Sequence, residues 1–433
     1  MLKLRPFKAL RFNEKTISEL GSVVAPPYDI ISSQEQKALH DRHPYNIVRL
    51  DLGYQFPEDT DANNRYTRSK KTLAEWKSQH ILIHDPKPSF YMYEHTYTVN
   101  GQTHCLTGLM ALMKLEPFST GVILPHENTH AGPIQDRFEL LKACQTQFSH
   151  IFTLYADKQN ESEALFSSCF TRLPLCSAKV GEDRYRIWRE DDAEKITAIQ
   201  NFFRDKTLFI ADGHHRYTTS LSYKDHVRNQ NPNHSSTQAD YTLIFLTNMY
   251  HESLRIYPTH RVFSGLNSVK KESFLSSLHP YGEIQPFETK TEFLSAVKKP
   301  LPAAQKRMGF VFPEPPLYYT FTVTDPSKLT SFYRSHVSET LKNLDVSILH
   351  QVILSGILNI STEHIVKEGK LRYIKEEQEV FSRVESKKAD FGVILNPTRI
   401  EELRDIAMAH EKMPQKSTYF YPKLITGLIM NEM

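Results

Sequence analysis

The chain has 433 residues and weighs 50.2 kDa, which at roughly 150 residues per domain predicts two or three packed units. Apolar residues make up 39%, with 25 Phe and 21 Tyr, so there is enough large side chain for real cores and a wholly disordered chain is excluded. Lys plus Arg is 53 against 50 Asp plus Glu, so no global field draws the chain to nucleic acid or an anionic membrane, and any bound anion has to be held locally.

The first residues are basic but lack the apolar run of a signal peptide, and no window reaches the roughly 18 to 20 apolar residues of a membrane span. The mean hydropathy of -0.47 agrees, and a cytoplasmic protein is expected. Four cysteines without a C-x-x-C pair read as buried, reduced thiols. Glycine is scarce, 15 in all, and neither G-x-x-x-x-G-K-[ST] nor G-x-G-x-x-G occurs.

In chain order, the spacing predicts helices over 33–41 and 66–79, the latter with Leu73 and Trp76 on one face, and a strand over the strand-like run 46–50. A hairpin follows: β-formers over 91–99, the turn pair Asn100-Gly101, and a return strand over 103–113. Strands over 122–124, 151–155, 185–188, 207–211 and 241–246 then alternate with helices over 134–146, 162–170, 191–204 and 214–229, a pattern of α/β or α+β class with a mixed sheet and flanking helices. Further on come strands over 308–312, 318–323 and 392–395 and helices over 337–358, 376–386 and 399–410. Three regions are expected: an α+β part over 1–118, a core over 119–265 and a mixed part over 266–433.

The sharpest motif is Asp212-Gly213-His214-His215-Arg216, a short apolar strand opening directly into a helix whose Tyr217, Leu221 and Tyr223 are read on one side. First-turn N–H groups and the positive dipole end, with two histidines and an arginine, suit phosphate oxygens. The rival is an exposed polar rim. Asp212 reads either as the helix N-cap or as a metal-side carboxylate. Adjacent histidines point about 100° apart, which favours phosphate over zinc.

His126-Glu127-Asn128-Thr129-His130 satisfies H-E-x-x-H, a zinc-hydrolase pattern when helical. Here Pro125 precedes it, and Ala131-Gly132-Pro133 is expected to end any helix. The other readings keep Glu127 as a general base at a strand end or as an exposed loop carboxylate. Pro26-Pro27-Tyr28-Asp29 is a stiff segment that suits a site or a plain turn. Pro258-Thr259-His260-Arg261 offers two cationic or titratable donors or a polar loop, and the aromatic, basic stretch from Pro414 to Lys423 carries Lys416 without a phosphate-loop glycine.

These blocks together, Ala25 to Asp29, Leu124 to Arg137, Ala211 to Arg216, Pro258 to Arg261 and Met413 to Lys423, resemble the bacterial and archaeal family catalogued as domain of unknown function 1015. Asp-Gly-His-His-Arg in turn resembles the ParB and sulfiredoxin-like fold, in particular its free-serine kinases, and Glu127 matches their upstream base. The resemblance implies a ParB/sulfiredoxin-like nucleotide-binding core with N- and C-terminal elaborations. It also implies a nucleotide-dependent phosphotransferase for a small hydroxyl metabolite, with serine the leading candidate. Glu127, Asp212 and His214 would be catalytic, Gly213, His215, Arg216, Arg261 and Lys416 would hold ATP or ADP, and Asp212 would orient Mg²⁺. The alternatives are a non-catalytic nucleotide-binding switch and a zinc hydrolase at His126 and His130. The expected partner is a small molecule, not nucleic acid or membrane.

Overall fold

The computed structural model describes residues 1–230, 237–266, 269–302, 305–315 and 317–433. Two compact units emerge, one built from Met1–Pro125, Thr129–Arg255 and Pro422–Met433, the other from His126–Asn128 and Ile256–Tyr421.

The first unit is organised by a nine-stranded mixed sheet. Its strands are β1 (Leu4–Arg5), β2 (Phe90–Val99), β3 (Gln102–Lys114), β4 (Ile123–Leu124), β5 (Ile151–Tyr155), β6 (Cys176–Val180), β7 (Asp183–Glu190), β8 (Leu208–Asp212) and β9 (Tyr241–Asn248). The order is β4-β8-β5-β9-β3-β2-β7-β6, with β1 alongside β3. The β4/β8 and β5/β9 pairs are parallel and the others antiparallel. The hairpin forms as predicted, because Asn100 and Gly101 adopt φ of 50° and 74°, the two left-handed residues that match strand twist in a two-residue turn. The boundary expected at residue 118 falls inside this sheet, since β3 pairs with β9.

Helices α1 (Ser33–Arg42), α2 (Arg65–Ser78), α3 (Ala131–Cys144), α4 (Glu161–Phe170), α5 (Ala193–Phe203) and α6 (His214–Gln230) complete the unit. Ile210, Trp188, Leu246, Phe166, Phe203 and Tyr217 share one core, each buried side chain contributing roughly 1.5–3 kcal/mol. Leu221 packs on this core, but Tyr223 joins Leu141 and Ala239 in another cluster; six positions at 100° per residue turn it about 240° from Tyr217, so the three do not share one side. The run 46–50 is not a strand. Val48–Asp51 is a helical turn, because the buried Asn46 side chain accepts from the Val48 N–H at 3.0 Å and donates to the Ser22 and Val24 carbonyls. Of the four free thiols, Cys144, Cys169 and Cys176 are buried and Cys105 is exposed.

The second unit carries a six-stranded, wholly antiparallel sheet of β10 (His260–Phe263), β11 (Glu283–Phe287), β12 (Lys306–Val311), β13 (Tyr318–Val323), β14 (Leu371–Ile374) and β15 (Phe391–Ile394), ordered β11-β13-β12-β15-β10-β14. Helices α7 (Lys271–Leu278), α8 (Lys290–Lys298), α9 (Glu377–Glu385) and α10 (Ile400–Met408) flank it. The single helix expected over 337–358 is broken into Glu339–Lys342, Asp345–Ser347 and a π-helical stretch, Ile348–Ile357, which ends with the Leu358 N–H on the Ile353 carbonyl. Its apolar run gives no sign of the wider winding.

Candidate functional site

In the first unit, β8 pairs with β4 on one side and β5 on the other, and its register against β5 shifts between Ile210 and Asp212. A bulge of this kind re-aims the residue beyond it, here Asp212. Gly213 then turns the chain at φ +93°, a conformation that costs other residues roughly 1–2 kcal/mol. The Gly213 carbonyl accepts the first helical bond, from the Tyr217 N–H at 2.9 Å, so glycine holds the cap position and Asp212 does not. A Cβ at Gly213 would lie 3.1–3.2 Å from the Arg216 guanidinium. Gly213→Ala is therefore expected to lower stability by about 1–2 kcal/mol, measured by urea unfolding; an unchanged midpoint would show that the turn relaxes freely.

Asp212 is clamped between two cations. Lys423 Nζ donates to its Oδ1 at 2.5 Å and Arg216 to its Oδ2 at 2.6 Å. Burial alone would raise the carboxyl, but the charges of Lys423, Arg216 and His214 hold it well below the usual carboxylate range. Arg216 also donates to the His150 carbonyl. Burial, then the Arg216 charge, pushes the His150 imidazole down to about 3, so it stays neutral. His214 is buried. His215 Nε2 accepts from the His130 N–H at 3.0 Å, which assigns its ring proton to Nδ1 in the neutral form and ties the residue before α3 to the first turn of α6.

The stiff proline segment ends at the same place. The Arg137 guanidinium stacks over the Tyr28 ring at 4.0 Å and pairs with the buried Asp51 at 3.0 Å. Asp51, Arg137 and Arg216 line a cavity of about 50 Å³, room for water but not for a nucleotide.

In the second unit, the short segment of Glu127 is anchored by His126. The His126 carbonyl accepts from the Met413 N–H at 2.9 Å, and its Nε2 lies 3.0 Å from Thr418 Oγ1. Glu127 interacts electrostatically with Arg261 and Tyr373. Arg261 is 1% exposed. It donates to the carbonyls of Thr259, Gln415 and Lys416 and lies over the Tyr373 ring at 5.4 Å. Burial lowers its guanidinium to about 10, opposed by Tyr373 and Glu127. This arginine organises backbone. Lys416 is exposed, at φ +55°. His260 is buried, lowered to about 4 by burial and the Arg261 charge, and its Nδ1 accepts from the Leu395 N–H at 3.2 Å, so it acts as an acceptor rather than the donor expected.

The H-E-x-x-H residues are not helical. Helix α3 begins only at Ala131, with Pro133 tolerated in its first turn, so the spacing that would put two histidines on one helical face is lost. Among the described residues no group of three or more His, Cys, Asp or Glu is placed to hold a metal ion. Asp212 is a poor Mg²⁺ ligand, because both carboxylate oxygens already carry a cationic partner and a divalent ion would be repelled by both. No helix among the described residues is long and apolar enough to cross a membrane.

Lys423 was not anticipated. It lies within the basic carboxy-terminal block, but 211 residues separate it from Asp212, and no local spacing distinguishes it from Lys416.

The molecule is thus a mixed α/β protein with a cation-flanked turn from a sheet strand into a helix. The chain belongs to the family described as Protein of unknown function (DUF1015), whose pattern matches residues 4–347. No curated protein matches it. Among solved structures it is similar to a mutant free serine kinase in complex with AMP, at 11% identity and TM-score 0.36, covering 74% of this chain and 92% of that one. A conserved hypothetical protein from Pyrococcus furiosus has 11% identity and TM-score 0.34, covering 72% and 90%. C-terminally truncated SbnI from Staphylococcus aureus has 11% identity and TM-score 0.35, covering 73% and 86%.

Proposed function

We propose that the turn from β8 into α6 holds the phosphates of ATP or ADP, and that the protein is a phosphotransferase acting on a small hydroxyl metabolite, with serine the leading acceptor. The observation that carries the phosphate seat is the Asp212 clamp: one carboxylate restrains both Lys423 and Arg216 at the start of a seventeen-residue helix, leaving net positive charge where the helix dipole is also positive. Gly213 keeps the turn bare, and His215 supplies a further ring nitrogen beside it. The same reading puts a ParB/sulfiredoxin-like core around this turn.

Transfer breaks the bond between the terminal phosphorus and its bridging oxygen and forms one to the acceptor oxygen, whose proton needs a base. The base in this reading is Glu127, supplied by the sequence resemblance. The Arg261 guanidinium interacts electrostatically with it.

The test is thermal unfolding of the full chain with ATP, ADP or AMP, in EDTA and in Mg²⁺. A ligand held only by the folded state adds about 2.7 kcal/mol at a hundred times its Kd. ATP or ADP is expected to raise the melting temperature in EDTA as well, since Asp212 is already neutralised, and His215→Ala with Gly213→Val is expected to abolish the rise. No rise with any nucleotide would overturn the phosphate seat. Nucleotide binding without phosphorus transfer by ³¹P NMR, over a panel of hydroxyl metabolites, would leave a nucleotide-responsive switch instead.

A further inference from the structure

A cavity lies wholly within the second unit, away from the turn into α6. It encloses about 360 Å³, inside the roughly 300–1,000 Å³ range of small-molecule sites. Six cationic side chains line it, Arg261, Lys298, Lys299, Lys306, Arg307 and Arg399, against two carboxylates, Asp345 and Glu402.

Several of these cations are held in place by other groups. Lys306 pairs with Glu402 at 2.8 Å, Lys298 with Glu377 at 2.8 Å, and Arg307 donates to the Ala296 carbonyl at 2.7 Å and to Thr322 Oγ1 at 2.8 Å. Each keeps donors in reserve, since a lysine carries three and an arginine five. Arg261 adds an independent sign. It is fully buried on the cavity wall, and its Nε has no hydrogen-bond partner, a cost that a bound acceptor would relieve. Burial pushes the Asp345 carboxyl up to about 6, which leaves it mostly a carboxylate at neutral pH.

We propose that this cavity binds a small phosphomonoester, its phosphate met by the cationic wall and its hydroxyl-bearing body by Asp345, Asn396 and Glu402. A dianion matches the charge excess better than a monocarboxylate, and Arg and Lys together offer the bidentate and point-charge contacts that phosphate takes. The carboxylates accept from ligand hydroxyls, which a site for bare phosphate would not need.

The experiment is a ³¹P NMR titration of the full chain with glycerol 3-phosphate, ribose 5-phosphate and inorganic phosphate. One of the two sugar-type esters is expected to bind with saturable 1:1 stoichiometry, at least about ten-fold more tightly than inorganic phosphate. Lys299→Glu with Arg399→Glu, both at the exposed mouth, is expected to weaken binding at least about ten-fold. Val346→Phe, which fills the cavity without changing charge, is expected to do the same, so either variant decides if the other fails to fold. The proposal is overturned if neither ester binds at about 10 mM, if inorganic phosphate binds equally well, if a folded variant binds as the parent does, or if ADP displaces the ester competitively. Failure of nucleotide binding at α6 would leave this site untouched.

Discussion

Glu127→Gln is expected to slow phosphoryl transfer by about a hundred- to ten-thousand-fold, the span that a positioned general base contributes, while the melting-temperature rise with ATP or ADP is retained. Glutamine keeps the shape and hydrogen-bonding reach of glutamate but removes its negative charge and its capacity to take a proton. The substitution is also mild for the fold. Glu127 is partly exposed, and its segment is tied down by the His126 carbonyl and imidazole. Single-turnover phosphate transfer with parallel nucleotide titration checks this. Turnover within a few-fold of the parent, with nucleotide still bound, would remove Glu127 from the chemistry and leave the α6 seat in place.

Asp212→Asn is expected to destabilise the protein by about 3–5 kcal/mol near neutral pH, the cost of removing one partner of a buried ion pair. The side chains involved are little exposed, 16% for Asp212 and 12% for each of Arg216 and Lys423, so two cations would be left close together with no anion. The pH dependence has a definite sign. The folded Asp212 carboxyl lies well below its ordinary value, so the unfolded chain takes up the proton first as the solution is acidified. The stability from this clamp is complete above about pH 5, and it drains away as the pH falls through about 4 towards the folded value. Asparagine removes both the stability and that part of the acid limb. Urea midpoints between about pH 3 and 8 would show the parent and variant curves converging at low pH; a constant offset, or a neutral-pH loss below about 1 kcal/mol, would mean that the clamp is worth little.

Much of the architecture could be read locally. The hairpin was legible because Asn-Gly between alternating β-formers has few other outcomes, and the β8–Gly213–α6 turn because an apolar strand, a glycine and a helical period follow one another without a gap. Where the reading failed, the deciding contact came from elsewhere. Ile47-Val48 has strand chemistry, but the Asn46 side chain, bonded to Ser22 and Val24, holds the run in a helical turn. The 337–358 region has helical composition, and its division into short helices and a π-helical stretch is set by packing that periodicity does not encode.

The candidate residues divide in the same way. The amino-acid order alone determined which groups stand at the start of α6, since Asp212, Gly213, His214, His215 and Arg216 are neighbours along the chain and a strand-to-helix turn presents them whatever surrounds it. It also determined the mixed α/β class, through the alternation of periods two and 3.6. Only the folded molecule decided that Asp212 is paired with Lys423 as well as Arg216, that Tyr28 lies against Arg137, and that Arg261 donates to the carbonyls of Thr259, Gln415 and Lys416. Apart from Thr259, two residues from Arg261, and Arg216, four from Asp212, those partners lie more than a hundred residues apart. At such distances one lysine or carbonyl in the sequence is chemically equivalent to another, and the close approach that makes an ion pair is created by the packing of the core.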